Sequence, residues 1–182
     1  MQVMHHGLHR AAESFSKIIG NRVSVEMSSH LTKDDKHFSS TKSHHVEMLY
    51  VLTTQLIGSI HGKSFFILTN NEYKEVVKSM GDKYGDAIKE GFLLEIDNII
   101  SAAVISDLSN QLAIEVYGDV PKLSKIKSNE LSDFIRSEIV GFSGSVIESK
   151  LFFADNASAT PKFTWILDNK IIELIPTEKL VA

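Results

Sequence analysis

The stretch Leu94-Glu-Ile-Asp-Asn-Ile-Ile-Ser-Ala-Ala-Val-Ile-Ser-Asp-Leu-Ser109 is the centre of the strongest helical pattern in this 182-residue chain. A helix advances about 100° per residue, so a helix over about 90–111 has one broad apolar face, formed by Leu93, Ile96, Ile100 and Val104. The opposite side is a narrow stripe of small or polar residues, formed by Gly91, Glu95, Asn98, Ala102, Ser106 and Ser109. The segment therefore predicts an amphipathic helix with an unusual outer face.

Glu95 and Asn98 lie one turn apart in this stripe, so their side chains should project side by side. The small neighbours Gly91 and Ala102 leave the pair sterically open to a docking partner. Spacing alone favours a simpler interpretation, in which the stripe is an ordinary polar face in contact with solvent. The decision between a site and a solvated face needs evidence from elsewhere in the chain.

On both sides of this helix, the sequence pattern predicts further helices and strands. An amphipathic helix over 2–19 precedes a strand over 22–27, and the same helix–strand order returns over 91–118, which leaves an internal duplication open. A polar loop is predicted over 28–45 and a turn over 119–122. Further strands are predicted over 46–57, 64–69, 112–118, 146–154, 162–167 and 171–175, and shorter helices over 70–80 and 128–139.

A second feature concerns the distance from the helix to the next proline. Pro121 follows Asn98 after 22 intervening residues, so that Glu95, Asn98 and Pro121 match the Glu-x-x-Asn-x22-Pro signature of the CheC/CheX/FliY phosphatases of bacterial chemotaxis. The sequence resembles this superfamily over most of its length. Gly91 departs from the family pattern, because that position usually holds Asp or Ser.

The first half resembles the other copy of the family's repeat. The segment 11–23 is similar to the helix–glycine–strand junction of CheC. When the signature is moved onto this half, Gln2, His5 and Ser28 occupy the positions of its Glu, Asn and Pro. All three key residues are replaced there, so the chain resembles a one-site member, as CheX is.

The resemblance implies a single α+β domain over 1–182 with the CheC-like fold. Such a domain consists of duplicated helix-plus-strands units, with two long helices, near 2–19 and 90–111, packed on a mostly antiparallel sheet of about six strands. The resemblance also leaves a homodimer open, because CheX-like relatives pair through their sheets. The identity of the regulator, the pathway and the oligomeric state do not follow from the sequence.

The resemblance further implies a phosphatase that hydrolyses the aspartyl-phosphate of a CheY-like response regulator in chemotaxis or related two-component signalling. Asn98 would position the attacking water and Glu95 would pair with the regulator's lysine, whereas Gly91, Ala102 and Pro121 would border the partner. The regulator supplies its own Mg²⁺, so no metal or cofactor of this chain is expected. Two alternatives remain: a non-catalytic module that binds a receiver or serves as a signalling adaptor, and a structural relative of flagellar switch components.

Composition limits the other classes of function. The chain has 19 Lys and Arg against 23 Asp and Glu, a net charge of -4, which argues against nucleic-acid binding. It has no Cys, which excludes disulfides and thiolate zinc sites, and no apolar run long enough to insert into a membrane, so a cytoplasmic location is expected. His5 and His9 are spaced for a shared metal ion but lack an evident third ligand, and 141–145 only weakly resembles a phosphate loop.

Overall fold

The computed structural model describes residues 2–28, 46–140 and 144–174. In these residues, seven strands form one sheet with helices packed against both faces. The α-helices are α1 (Gln2–Ile19), α2 (Asn70–Val77), α3 (Asp86–Leu112), α4 (Leu131–Glu138) and α5 (Lys170–Leu174). The strands are β1 (Val23–Ser28), β2 (Met48–Gly58), β3 (Gly62–Thr69), β4 (Val116–Gly118), β5 (Lys122–Lys127), β6 (Gly144–Phe153) and β7 (Lys162–Asp168).

The strand order is β1-β6-β7-β3-β2-β4, with β5 also paired to β2, and every pairing of these strands is antiparallel. Each half of the chain contributes a long helix, an edge strand, a hairpin and a short helix in the same order. Strand β1 of the first half pairs with the hairpin of the second half, and β4 of the second half pairs with the hairpin of the first. This exchange confirms the expected duplicated α+β architecture.

The sheet buries both faces because its central strands are apolar at consecutive positions, as expected for strands covered on two sides. One face packs against α1, α2 and α3 and includes the buried side chains Leu52, Leu56, Phe66, Phe163 and Trp165. The other face is covered by α4 and includes the buried side chains Leu49, Val51, Phe65, Ile67 and Ile166. The main core therefore lies between the sheet and the two long helices.

Helix α1 packs directly against α3, and a glycine sets how close they come. A Cβ added to Gly7 would lie 3.0 Å from the Asp107 Cβ and 3.1 Å from the Val104 Cα. Any larger side chain at this position would push the helices apart. Helix α1 ends at Ile19, and the following Gly20 has a φ of 70°, which favours glycine, while its amide donates to the Ser16 carbonyl oxygen.

Helix α3 is longer than the sequence pattern indicates. It begins at Asp86 rather than near 90 and continues to Leu112, so the strand predicted over 112–118 is confined to β4. The helix ends where Ala113 adopts a left-handed conformation with φ of 52°. Because this cap turns the chain back towards the sheet, only Val116–Gly118 remain for pairing with β2.

Two short segments differ from their predictions. The chain after the expected turn at 119–122 forms β5, an edge strand in which Leu123 and Ile126 are half-buried between lysines. The strand predicted over 171–175 is wrong for its described part, because α5 occupies Lys170–Leu174. The Asp168 carboxylate accepts a hydrogen bond from the Lys170 amide (3.0 Å) in the turn that leads into this helix.

Several predicted features fall outside the described residues: most of the loop over 28–45 and the first part of the segment 141–145. The last two residues of that segment begin β6, so they belong to a strand rather than a phosphate loop. Within the described part of the chain, no helix combines the length and the apolar character that crossing a bilayer requires.

Candidate active site

Helix α3 presents the predicted stripe on its outer side. Gly91, Glu95, Asn98 and Ala102 are all exposed. On the inner side of the same turns, Leu93, Ile96, Ile100 and Val104 are at most 2% exposed, and they anchor the helix to the main core. Glu95 and Asn98 therefore project together from a helix that is rigidly held by its other faces.

The neighbours of the pair leave room for another molecule. A Cβ built on Gly91 meets nothing within 4 Å, so this glycine borders open space and is not required by packing. Ala102 lies one turn beyond Asn98 and adds only a methyl group. Small side chains on both sides of the pair allow a partner to approach the amide and the carboxylate closely.

Pro121 lies in a bulge at the sheet edge beside α3. The ladder pairs Gly118 with Leu56 and Lys122 with Thr53, so three residues of the edge, 119–121, oppose only two residues of β2. This extra residue is the defining feature of a β-bulge, where a proline is tolerated because it has no amide to donate. Pro121 is buried, while its neighbour Val120 is 76% exposed.

Polar contacts tie α3 to this edge. The Thr54 hydroxyl, on the part of β2 that faces the bulge, donates to Asp97 Oδ2 at 2.7 Å. On the outer side, Lys125 Nζ of β5 lies 2.6 Å from Glu90 Oε1, one residue before Gly91. Helix α3 is thus joined by one contact to β5, the strand that follows Pro121, and by another to the neighbouring strand β2.

Asp97 is a residue that the sequence interpretation missed. It is 0% exposed, and burial raises the pKa of its carboxyl group to about 7, although the Thr54 hydrogen bond acts in the opposite direction. A helical projection gives the missed signal, because Asp97 lies between Leu93, Ile100 and Val104 on the apolar face. A carboxyl group in such a position is rare in folded proteins.

The first half presents a different surface at the equivalent positions. Gln2 begins α1, and His5 is exposed, with its Nε2 atom 3.2 Å from that of His9. Ser28 pairs with Glu148 in a regular ladder, so β1 has no bulge where the second half carries Pro121. Among the described residues, no three His, Asp or Glu side chains converge on a point that a metal ion could occupy.

Comparisons with known proteins find matches to the fold of this chain but none to its amino-acid sequence. No protein-family model matches the chain, and no characterised protein matches it by sequence. Among solved structures, FliY from Thermotoga maritima superimposes with a TM-score of 0.69 at 14% identity, over 94% of this chain and 89% of the FliY chain. The middle domain of FliM from Vibrio alginolyticus gives a TM-score of 0.63 at 9% identity, over 95% and 97% of the two chains.

A third similar structure contains a bound partner. It is the CheX-CheY-BeF3-Mg complex from Borrelia burgdorferi, with a TM-score of 0.56 and 13% identity over 91% of this chain and 98% of that chain. Further CheX and CheC-like structures from other bacteria also match. The chain therefore has the fold of the CheC/CheX/FliY superfamily, which confirms the resemblance at the level of the fold.

Proposed function

We propose that this protein hydrolyses the aspartyl-phosphate of a CheY-like response regulator. The observation that carries the proposal is the joint exposure of Glu95 and Asn98 on the outer face of a helix whose inner face is buried in the main core. These two side chains match the superfamily signature, and the Borrelia burgdorferi structure with this fold is a complex with CheY. The fold alone is shared with the FliM middle domain, so the side chains and not the architecture support turnover.

Asn98 is proposed to position the attacking water. An amide can donate to one neighbour and accept from another, and it does not titrate, so it orients a water without acting as a general base. The water oxygen forms a bond to phosphorus as the bond between phosphorus and the aspartate oxygen breaks. Inorganic phosphate and a free carboxylate result, with the water's proton passing to the phosphate or to solvent. Holding the water in line accounts for several kcal/mol of the barrier.

Glu95 is proposed to hold the regulator in register. Its exposed carboxylate can pair with the lysine that a receiver carries beside its phosphorylated aspartate. Gly91 and Ala102 then lie beneath the partner, and the bulge at Pro121 forms the border of the contact. In this proposal the receiver contributes the Mg²⁺, and the chain itself needs no metal or cofactor.

The proposal is tested with a purified receiver domain whose aspartate is phosphorylated. Asn98→Ala is expected to lower the rate of phosphate release about 100-fold or more, because the water loses its orienting group. Asn110→Ala is the matched control, since Asn110 is also exposed on α3 but lies about three turns away. If Asn98→Ala releases phosphate at the wild-type rate, the role assigned to Asn98 is refuted.

A non-catalytic receiver-binding module is the second candidate, and the similarity to FliM favours it. Such a module would bind the phosphorylated receiver without shortening the lifetime of its phosphoryl group. Glu95→Lys would weaken binding under both proposals, whereas Glu13→Lys, an exposed change on α1, would not. Phosphate release from the receiver in the presence of the wild-type protein decides between the two candidates. Co-purification with flagellar switch proteins would instead support a structural role.

The proposed activity also implies where the protein acts and in what form. Phosphorylated CheY-like receivers are cytoplasmic signalling proteins, so we infer that this chain meets its partner in the cytoplasm. A homodimer remains a prediction of the resemblance. Sedimentation equilibrium of the purified chain measures the oligomeric state directly.

A further inference from the structure

The carboxyl group of Asp97 is buried directly behind the proposed site. It lies between Glu95 and Asn98 in the sequence, but it points to the opposite side of α3, where it is 0% exposed. Enclosing a carboxyl group in a protein core is unfavourable, because the group loses its hydration. No described group hydrogen-bonds to its Oδ1 atom, so the compensation for burial is incomplete.

The single hydrogen bond of this carboxyl group connects two parts of the proposed site. Asp97 Oδ2 accepts from the Thr54 hydroxyl at 2.7 Å. Thr54 lies on β2 between the residues that pair with Lys122 and Gly118, opposite the bulge that carries Pro121. The bond therefore joins the turn of α3 that presents Glu95 and Asn98 to the segment of β2 that lies opposite the bulge.

We propose that Asp97 is a positioning residue, whose hydrogen bond to Thr54 fixes the turn carrying Glu95 and Asn98 relative to the bulge at Pro121. This inference rests on the proposed phosphatase function. The side chains around Asp97, such as Leu93 and Ile100, pack through non-directional contacts that tolerate small shifts along the helix. A hydrogen bond is directional, so it selects one register from those that apolar packing permits.

Comparison of the two halves of the chain supports this role. The shift of 93 residues that relates Glu95 to Gln2 and Asn98 to His5 places Met4 at the position of Asp97. Met4 is 1% exposed and therefore fills the same kind of buried position with an apolar side chain. Only the helix that carries the Glu–Asn pair retains the buried carboxyl group. Helix packing alone thus does not require an acid at this position.

The test uses three substitutions and one control. Asp97→Leu and Thr54→Val each remove the hydrogen bond while keeping much of the side-chain volume, and Asp97→Asn retains an oxygen that can accept from Thr54. Thr53→Val is the matched control, because Thr53 is the adjacent buried threonine and its hydroxyl has no partner among the described residues. Thermal unfolding first establishes which variants are folded. If Asp97→Leu does not fold, Thr54→Val alone tests the loss of the hydrogen bond.

Turnover and binding of the phosphorylated receiver are then measured separately. We expect loss of the hydrogen bond to lower kcat ten- to a hundredfold with little change in receiver affinity, because the side chains that bind are intact but displaced. Asp97→Asn should restore most of kcat, and Thr53→Val should behave as wild type. Wild-type kcat in both folded Asp97→Leu and Thr54→Val would overturn the proposal, as would an equal loss in Asp97→Asn.

A structural measurement separates failure of this inference from failure of the proposed function. The Ile105 δ1 methyl group lies close to Gly118, since a Cβ added there would be 2.9 Å away from it. The nuclear Overhauser effect between this methyl group and the Gly118 α protons therefore reports the position of α3 against the edge strand. It should weaken in Asp97→Leu and Thr54→Val but not in Asp97→Asn, whether or not the protein is a phosphatase. An unchanged signal in both would overturn the positioning role.

Discussion

Replacing Asp97 by Asn should change how stability depends on pH. Burial raises the pKa of the Asp97 carboxyl group from 3.8 to about 7, so the folded state holds its proton more tightly than the unfolded state does. The resulting penalty on folding is absent below about pH 4, grows between about pH 4 and pH 7, and is constant above that range. An asparagine side chain does not titrate and has no such penalty.

The magnitude follows from the size of the shift. A shift of about three pKa units corresponds to about 4 kcal/mol of destabilisation above pH 7. Part of this penalty is already present at pH 5, so the stability difference between Asp97→Asn and wild type should increase by about 3 kcal/mol between pH 5 and pH 8. For a chain of this length, the difference between the two melting temperatures should grow by about 6–12 °C over that range.

Urea unfolding at four or five pH values between 5 and 8 measures this difference. Asp133→Asn is the control, because the Asp133 side chain is 85% exposed and its replacement should change stability only slightly. Wild type should lose stability relative to Asp97→Asn as the pH rises. Parallel curves for the two proteins would refute the reasoning, since they would show that the folded and unfolded states bind the Asp97 proton equally.

Three further variants have opposite or null expected effects. Gly91→Ala should raise the free energy of unfolding by about 0.5–1 kcal/mol in urea titrations, because the site is helical and its added methyl group meets open space. Gly7→Ala should lower it by about 1 kcal/mol or more despite the same gain in helix propensity, because the new Cβ crowds α3. Gln2→Glu with His5→Asn, made in the Asn98→Ala background, should not restore phosphate release, because β1 has no bulge beside that helix.

The position of α3 could be predicted because its apolar residues repeat with the helical period over more than five turns. That regularity fixes both the buried face and the exposed stripe, including Glu95 and Asn98. Short segments carry less information. Residues 171–175 are rich in β-branched residues, yet the described part is helical, and its first amide donates to the Asp168 carboxylate.

The edge beside the site was harder to predict for a different reason. Strand β5 has its apolar residues Leu123 and Ile126 three positions apart and lysines between and around them, so it lacks strict alternation. The bulge depends on how two segments of an edge align with β2, and register is a property of the pair rather than of either sequence. The residue types alone predict a turn at Pro121 but not the strand that follows it.

The two halves of the fold differ at the sheet edge as well as in their side chains. Behind the exposed pair, the buried Asp97 of the second half accepts a hydrogen bond from Thr54 of β2, which belongs to the first half and lies opposite the bulge. In the first half, Met4 replaces the acid and Ser28 continues a regular ladder. Under the positioning proposal, the site needs a helix held in a particular register against an irregular edge, in addition to two correct side chains, and only the second half combines these features.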